Sequence, residues 1–182
     1  MFWKRGYEGA SLGELTQAMG INRPSLYAAF GNKEALFRLA VDRYVAKSGA
    51  MLEKALAAQT AKGAVERLLR GVAANACGKM RGCLLVQGAL ACGEGSEAVR
   101  RALAARRGEV EVLVRKRLER GQLEGELAKA VDVAALAKYV ATFQLGMAVQ
   151  AAGGATKEAL LAAVAVAMGA WPQGGVQRTK NE

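Results

Sequence analysis

Between residues 11 and 44 the helix-starting and helix-stopping residues recur so closely that only two short helices and one longer helix fit. Ser11-Leu12-Gly13-Glu14 has the capping-box pattern, in which the serine hydroxyl accepts from the third helical amide and the glutamate returns to the serine amide. Leu12, Leu15 and Met19 follow at helical spacing, and Gly20 supplies a left-handed residue that closes the helix in a tight turn. Asn22 is a good N-cap for the next helix, and Pro24 falls in its first turn, where a missing amide costs nothing. Leu26 and Phe30, four apart, share its buried face and leave Arg23, Ser25, Ala28 and Ala29 pointing elsewhere. Small side chains on an exposed face let a helix approach base edges, and an arginine at its start reaches guanine acceptors or phosphate. Asn32 caps a third helix whose apolar stripe is Leu36, Phe37, Ala40, Val41 and Tyr44. Lys33 in its first turn is misplaced against the positive helix end unless a phosphate binds there.

Composition extends the helical reading to the whole chain. Ala, Leu, Glu, Lys and Arg dominate, Pro occurs twice and aromatics are 5%, which predicts an all-α protein. The absence of histidine removes Ser-His-Asp and Cys-His catalysis and nearly all zinc-enzyme arrangements, so no enzyme, metal site or cofactor is expected. Cys77, Cys83 and Cys92 are odd in number and lack Cys-x-x-Cys spacing, which argues against a disulfide framework and fits a reducing cytoplasm. No basic-then-apolar signal segment follows Met1. Two uncharged stretches, 139–156 and 159–177, approach membrane-spanning length, but glutamines and glycines interrupt them, so bundle helices are expected and no membrane partner.

The formal charge of +10 suggests an acidic partner, with nucleic acid first. Its distribution weakens that inference. Residues 1–47 carry seven basic and four acidic side chains, a local +3, whereas residues 62–120 carry thirteen and six, a local +7 that equally suits a solvated helical surface.

The segment from Phe2 to Tyr44 resembles the DNA-binding domain of TetR-family (tetracycline-repressor-like) transcriptional regulators. The matching elements are Gly6-Tyr7 before Ser11, Leu-x-x-Leu-Thr-x-Ala-x-Gly-Ile from Leu12 to Ile21, Ser-Leu-Tyr-x-x-Phe from Ser25 to Phe30, and Lys33-Glu34-x-Leu-Phe ending at Phe37. The resemblance implies a homeodomain-like three-helix module on double-stranded DNA. Ser11 and Lys33 would hold phosphates, Tyr27 would touch the backbone or a base, and Arg23, Pro24 and Ser25 would face the major groove. For single residues other readings stay open: Ser11 as a cap alone, Tyr27 as half core, Lys33 as a solvated cation. The family's first helix normally begins a dozen or so residues earlier, so the one ending near Arg5 is expected to be truncated.

Beyond about residue 45, helical segments are expected near 64–76, 82–91, 96–120, 132–150 and 156–171, with Ser96, Asp132 and Thr156 as caps. The division is then a DNA-binding domain at 1–46, a ligand-binding and dimerisation domain at 47–172, and a disordered tail at 173–182. The last two helices are too apolar to face water on any wide side. The resemblance implies that they pack on their copy as a four-helix bundle, giving a homodimer that reads a palindromic operator; purely intramolecular burial is the alternative. It also implies a small-molecule pocket whose occupant tilts the helix from Asn32 to about Ser48. Candidate lining residues are Cys77, Met80, Cys83, Leu84, Gln87, Cys92, Phe143, Gln144 and Met147, although buried thiols and thioethers at helical spacing also suit plain core. Cys83 follows Lys79 and Arg81, cations that would activate a thiol if close in space, which makes an oxidant, electrophile or copper(I) sensor conceivable. The expected function is a homodimeric repressor released by a small-molecule inducer. The alternatives are a helix-turn-helix retained only as a protein-interaction module and a cysteine-controlled regulator.

Overall fold

Side-chain caps at Ser11, Asn22, Asn32 and Thr60 set the starts of four successive helices. The structure, a computed structural model, describes residues 1–78, 81–90 (89 and 90 in backbone only) and 96–172. Met80, Cys92, Lys79 and the 173–182 tail, all named above, lie outside those residues. The elements are α1 (Phe2–Gly9), α2 (Leu12–Met19), α3 (Arg23–Phe30), α4 (Lys33–Leu56), α5 (Ala61–Ala76), α6 (Leu84–Leu90), α7 (Glu97–Leu123), α8 (Val133–Ala152) and α9 (Lys157–Gly169). The fold is all-α, an N-terminal helix-turn-helix joined to a larger helical part. Among the described residues no helix is long and apolar enough to cross a membrane.

Ser11 and Glu14 form the complete capping box of α2. Its other end closes at left-handed Gly20 (φ 66°, ψ 28°), whose amide donates to the Gln17 carbonyl while Ile21 donates to Thr16. Asn22 and Asn32 each accept a backbone N–H at 2.8 Å, from Ser25 and Ala35, and so start α3 and α4. In α1 the chain breaks at Gly6 (φ 69°, ψ −173°), a conformation essentially restricted to glycine. That break lets Phe2 and Tyr7 both reach Phe37, with ring centroids 5.0 and 5.1 Å away.

Three boundaries depart from the local reading. α4 continues past Ser48 to Leu56 because Leu52 and Ala55 are buried in the C-terminal core; the helix therefore runs without a break through residue 46. α5 starts at Ala61, earlier than position 64, because Thr60 caps it through the Gly63 amide and the Glu126 carboxylate, 65 residues away, accepts the Ala61 amide. Ser96 stands at the N-cap of α7 but makes no capping bond. Its hydroxyl instead donates to the Glu8 carboxylate, so this residue ties α7 to α1. Asp132 and Thr156 do cap α8 and α9.

The core has two centres. One joins α4, α5, α7, α8 and α9 around Leu68, Leu69, Val114, Leu118, Val140 and Val164. The other is shared between the N-terminal helices and the C-terminal part, since Phe2, Leu15, Leu26 and Phe37 cluster with Leu84, Leu85, Val99 and Leu103. The N-terminal module therefore has no separate core. α6 comes close enough for this because of Gly88, where an added Cβ would lie 3.0 Å from Leu103 Cδ1 and 3.2 Å from Phe37 Cζ.

The corner leading into α6 depends on Gly82. Its φ is +85°, and an added Cβ would lie 2.5 Å from Gln87 Nε2 and 3.3 Å from the Ala148 carbonyl oxygen. Gly82→Ala is therefore expected to destabilise the fold by roughly 1–3 kcal/mol. Gly108→Ala, inside α7 with open space around the new methyl, should instead stabilise by roughly 0.5–1 kcal/mol. Urea unfolding of the two variants checks the opposite signs; equal midpoints would contradict the strain assigned to Gly82.

Candidate functional site

The outward side of α3 is not covered by the other described residues. Leu26 is completely buried and Phe30 half-buried, while Arg23, Pro24, Ser25, Tyr27, Ala28 and Ala29 are all exposed. Tyr27 is 47% exposed, so its ring stands out from the surface as well as resting on it. The two-turn length set by Asn22 and Gly31 leaves a short rod bearing small side chains between an arginine and a tyrosine.

Ser11, at the start of α2, lies beside this rod. A Cβ on Gly13 would come 3.9 Å from Arg23 Nη2 and 4.0 Å from Ser11 Oγ, so a glycine leaves room for the guanidinium against the α2 N-terminus. Two sources of positive potential, an arginine and a helix start, thus meet on the exposed side, as an anion site requires. The Ser11 hydroxyl is already engaged, accepting from the Glu14 amide at 3.2 Å and donating to its carboxylate at 3.0 Å. Those bonds from the Ser11 amide and hydroxyl, with Arg5 at 2.6 Å, hold the Glu14 carboxyl below its ordinary value. Lys33 is half-buried and turned toward α1: Nζ donates to the Glu8 carbonyl at 3.3 Å and sits 4.7 Å from the Tyr7 ring centroid. The structure therefore groups Arg23, Pro24, Ser25, Tyr27 and Ser11 on one surface and uses Lys33 to clamp the end of α1.

Behind this module a cavity of about 140 Å³ lies among α1, α4, α5, α7 and α8. Of the residues suggested for a ligand pocket, Cys83 and Gln144 line it. The other described candidates lie elsewhere. Leu84 packs into the core shared with Phe37, Met147 is buried in the C-terminal core and Phe143 packs against that core. Cys77 donates to the Ala155 carbonyl at 3.5 Å, and Gln87 donates to the Arg81 carbonyl at 3.2 Å. Sequence reasoning missed Trp3, Tyr44, Ser48, Asn75 and Arg107 as lining residues. No local pattern marks them, because each comes from a helix whose other faces serve different contacts.

The cavity wall couples directly to the helix-turn-helix module. Trp3 of α1 donates through Nε1 to the Arg81 carbonyl at 2.7 Å and meets Tyr44 edge-on with ring centroids 5.0 Å apart. The Tyr44 hydroxyl in turn donates to Cys83 Sγ at 3.2 Å. Burial first, and the neighbouring Cys83 second, push the Tyr44 phenol far above its usual range, so it stays a neutral donor. The cation argument for Cys83 loses one member here, since Arg81 Nη1 reaches the Ala151 and Ala155 carbonyls at 3.5 and 3.4 Å.

Residues 1–40 match the profile of bacterial regulatory proteins of the tetR family, and residues 64–168 match that of a tetracyclin repressor-like C-terminal domain. The chain is 30% identical over 177 residues to the HTH-type transcriptional repressor ComR of Escherichia coli, covering 95% of this chain and 84% of that protein. Among solved structures it is 48% identical to the TetR family regulator CifR in a cysteine mutant complexed with 26-bp operator DNA, with TM-score 0.90 and coverage of 94% and 91%. A putative TetR regulator from Rhodococcus is 40% identical, with TM-score 0.66 and coverage of 94% and 93%. An exposed recognition rod, a helical body behind it and matches spanning both lead to one assignment: this chain belongs to the tetR family and is a DNA-binding transcriptional regulator.

Proposed function

We propose that the protein is a cytoplasmic homodimeric repressor that binds a palindromic operator and is released when a small ligand enters the cavity behind the helix-turn-helix. The observation that carries this reading is the shared wall. Trp3 of α1 and Tyr44, Ser48 and Met51 of α4 line the cavity, and the same two helices hold α3 through Phe2 and Phe37. A molecule that displaces those side chains moves the recognition helix, because packed cores transmit shifts rather than absorb them. Residues 1–46 then act as the reading head and 47–172 as the sensing and pairing body.

Pairing is supported by α8 and α9. Each buries one face within the protomer and leaves an uncharged, largely apolar stripe outside: Tyr139, Thr142, Gly146 and Val149 on α8, and Ala162, Val166 and Gly169 on α9. Val166 is 76% exposed, which a second copy of this surface would correct. In the two-fold pair each protomer offers Arg23, Pro24, Ser25 and Tyr27 to one major groove, with a phosphate where the Arg23 guanidinium meets the start of α2 at Ser11.

Gel shifts on the flanking intergenic DNA over a salt series test this. Affinity should fall steeply with salt. Arg23→Ala should weaken binding and reduce the log–log salt slope by about 1, whereas Tyr27→Ala should cost roughly 1–3 kcal/mol, about 5- to 150-fold. A monomer in sedimentation, or indifference to every duplex offered, would overturn the proposal.

A further inference from the structure

The cavity wall carries polar groups whose hydrogen-bonding capacity the described residues do not fill. Gln144 on α8 is nine-tenths buried and lines the cavity, yet its side-chain amide has no hydrogen-bond partner among the described residues. Arg107 on α7 lines the same space and donates through Nη1 to the Leu85 carbonyl at 2.7 Å. Among the described residues no carboxylate pairs with it, although its neighbour Arg106 is bridged to both Asp42 and Glu109. No Asp or Glu among the described residues lines the cavity. Among the described residues, then, the cavity wall carries a guanidinium with no carboxylate beside it and an amide with no protein partner, the two groups that a ligand carboxylate would pair with.

Most of the remaining wall defines the body of that ligand: Trp3, Met51, Val72, Leu85, Val110 and Leu145 are apolar, with Tyr44, Ser48, Asn75 and Cys83 as the polar exceptions. The volume of about 140 Å³ is close to the roughly 150 Å³ of an apolar cavity that takes up benzene. A second void, also about 140 Å³, shares Ser48, Met51, Val72 and Gln144 with it and leaves room for a short chain beyond one ring; Glu109 lines that second void but is already paired with Arg106 at 3.1 Å.

We propose that the cavity is a receptor for a compact monocarboxylate, with an acid head held by Arg107 and Gln144 and a body the size of a single ring or a six-carbon chain. This names the ligand class for the regulator proposed above and rests on that reading.

Benzoate and hexanoate, set against the neutral benzamide and hexanamide, test it on the full chain by isothermal titration and thermal shift, with gel shifts run in parallel. At about a hundredfold excess over Kd the acids should raise Tm by roughly 5–10 °C, and the amides should bind at least tenfold more weakly. Gln144→Leu replaces an unpartnered amide by an apolar group of similar size, so it should fold normally and lose about tenfold in benzoate affinity. Arg107→Met should lose at least as much, and Arg107→Lys should recover part of it by keeping the charge. Equal binding of acids and amides, no binding by either acid, or full benzoate affinity in both Gln144→Leu and Arg107→Met overturns the proposal. Benzoate that binds without freeing the operator upholds the carboxylate site and contradicts ligand release through this cavity; an operator freed by other compounds while no acid binds contradicts the site alone.

Discussion

An Ala28→Glu variant should keep its melting temperature and bind operator DNA roughly 100-fold more weakly or worse. Ala28 is exposed on the outward side of α3 beside Tyr27, so a longer side chain meets no protein atoms, and glutamate is nearly as good a helix former as alanine. Stability therefore has no reason to change. On DNA the new carboxylate enters the most negative surroundings available, and juxtaposing like charges in an interface costs several kcal/mol. In a dimer the penalty falls twice. Ala28→Gln has the same shape without the charge and separates crowding from repulsion: it should bind better than the glutamate variant and be less sensitive to salt. Unchanged operator affinity in Ala28→Glu would mean that α3 does not enter a groove.

Glu126→Ala should lower stability by about 3 kcal/mol, which for a chain of this size means roughly 6–12 °C in Tm. The Arg117 side chain is only 4% exposed. Its Nη2 donates to the Ala58 and Gln59 carbonyls at 3.3 and 3.1 Å and to Glu126 Oε1 at 3.1 Å. Nε and Nη1 have no partner among the described residues. Removing Glu126 leaves that buried charge without its carboxylate and leaves the first amide of α5 without its acceptor. The lower end of the usual range for broken buried pairs applies, because Glu126 itself is 19% exposed. Replacing both partners, Arg117→Met with Glu126→Leu, should recover most of the loss, since no unpaired charge then remains.

The same pair makes an acid prediction. Burial pushes the Glu126 carboxyl up, but the Ala61 amide and Arg117 together outweigh it and hold it below its ordinary value of 4.5. A carboxyl whose pKa is depressed by folding contributes stability that is fully present above that ordinary value. The contribution is lost as pH falls through the lower folded value. The wild type should thus lose stability more steeply than Glu126→Gln over that acid window, measured by urea midpoints at each pH. Parallel curves would remove Glu126 from the account.

Much of the N-terminal module was legible in the residue order, because caps and turns act over three or four positions. Ser11 with Glu14, Gly20, Asn22 and Asn32 each satisfy or release backbone groups close by, so α2, α3 and the start of α4 follow from local chemistry. The exposed side of α3 was legible for the same reason, since Leu26 and Phe30 mark the opposite side. Where partners were remote, residue order was silent. The early start of α5 depends on Glu126, Ser96 abandons its cap for Glu8, and Lys33 spends its charge on the end of α1.

The cavity shows the limit most clearly. Periodicity says that a helix has a buried face but not which helices meet across it, so Cys83 and Gln144 could be picked out while Trp3, Tyr44 and Arg107 could not. By itself the residue order determined that this chain is helical, where the DNA-reading helix starts and stops, and which side of it is bare, since these are short-range consequences of capping, glycine conformation and apolar spacing. Only the tertiary structure decided that α1 and α6 fuse the reading head to the body, and that an arginine and a glutamine with no carboxylate or amide partner among the described residues lie beside the same void. Both depend on which surfaces pack together, and packing selects among faces that local rules leave equivalent.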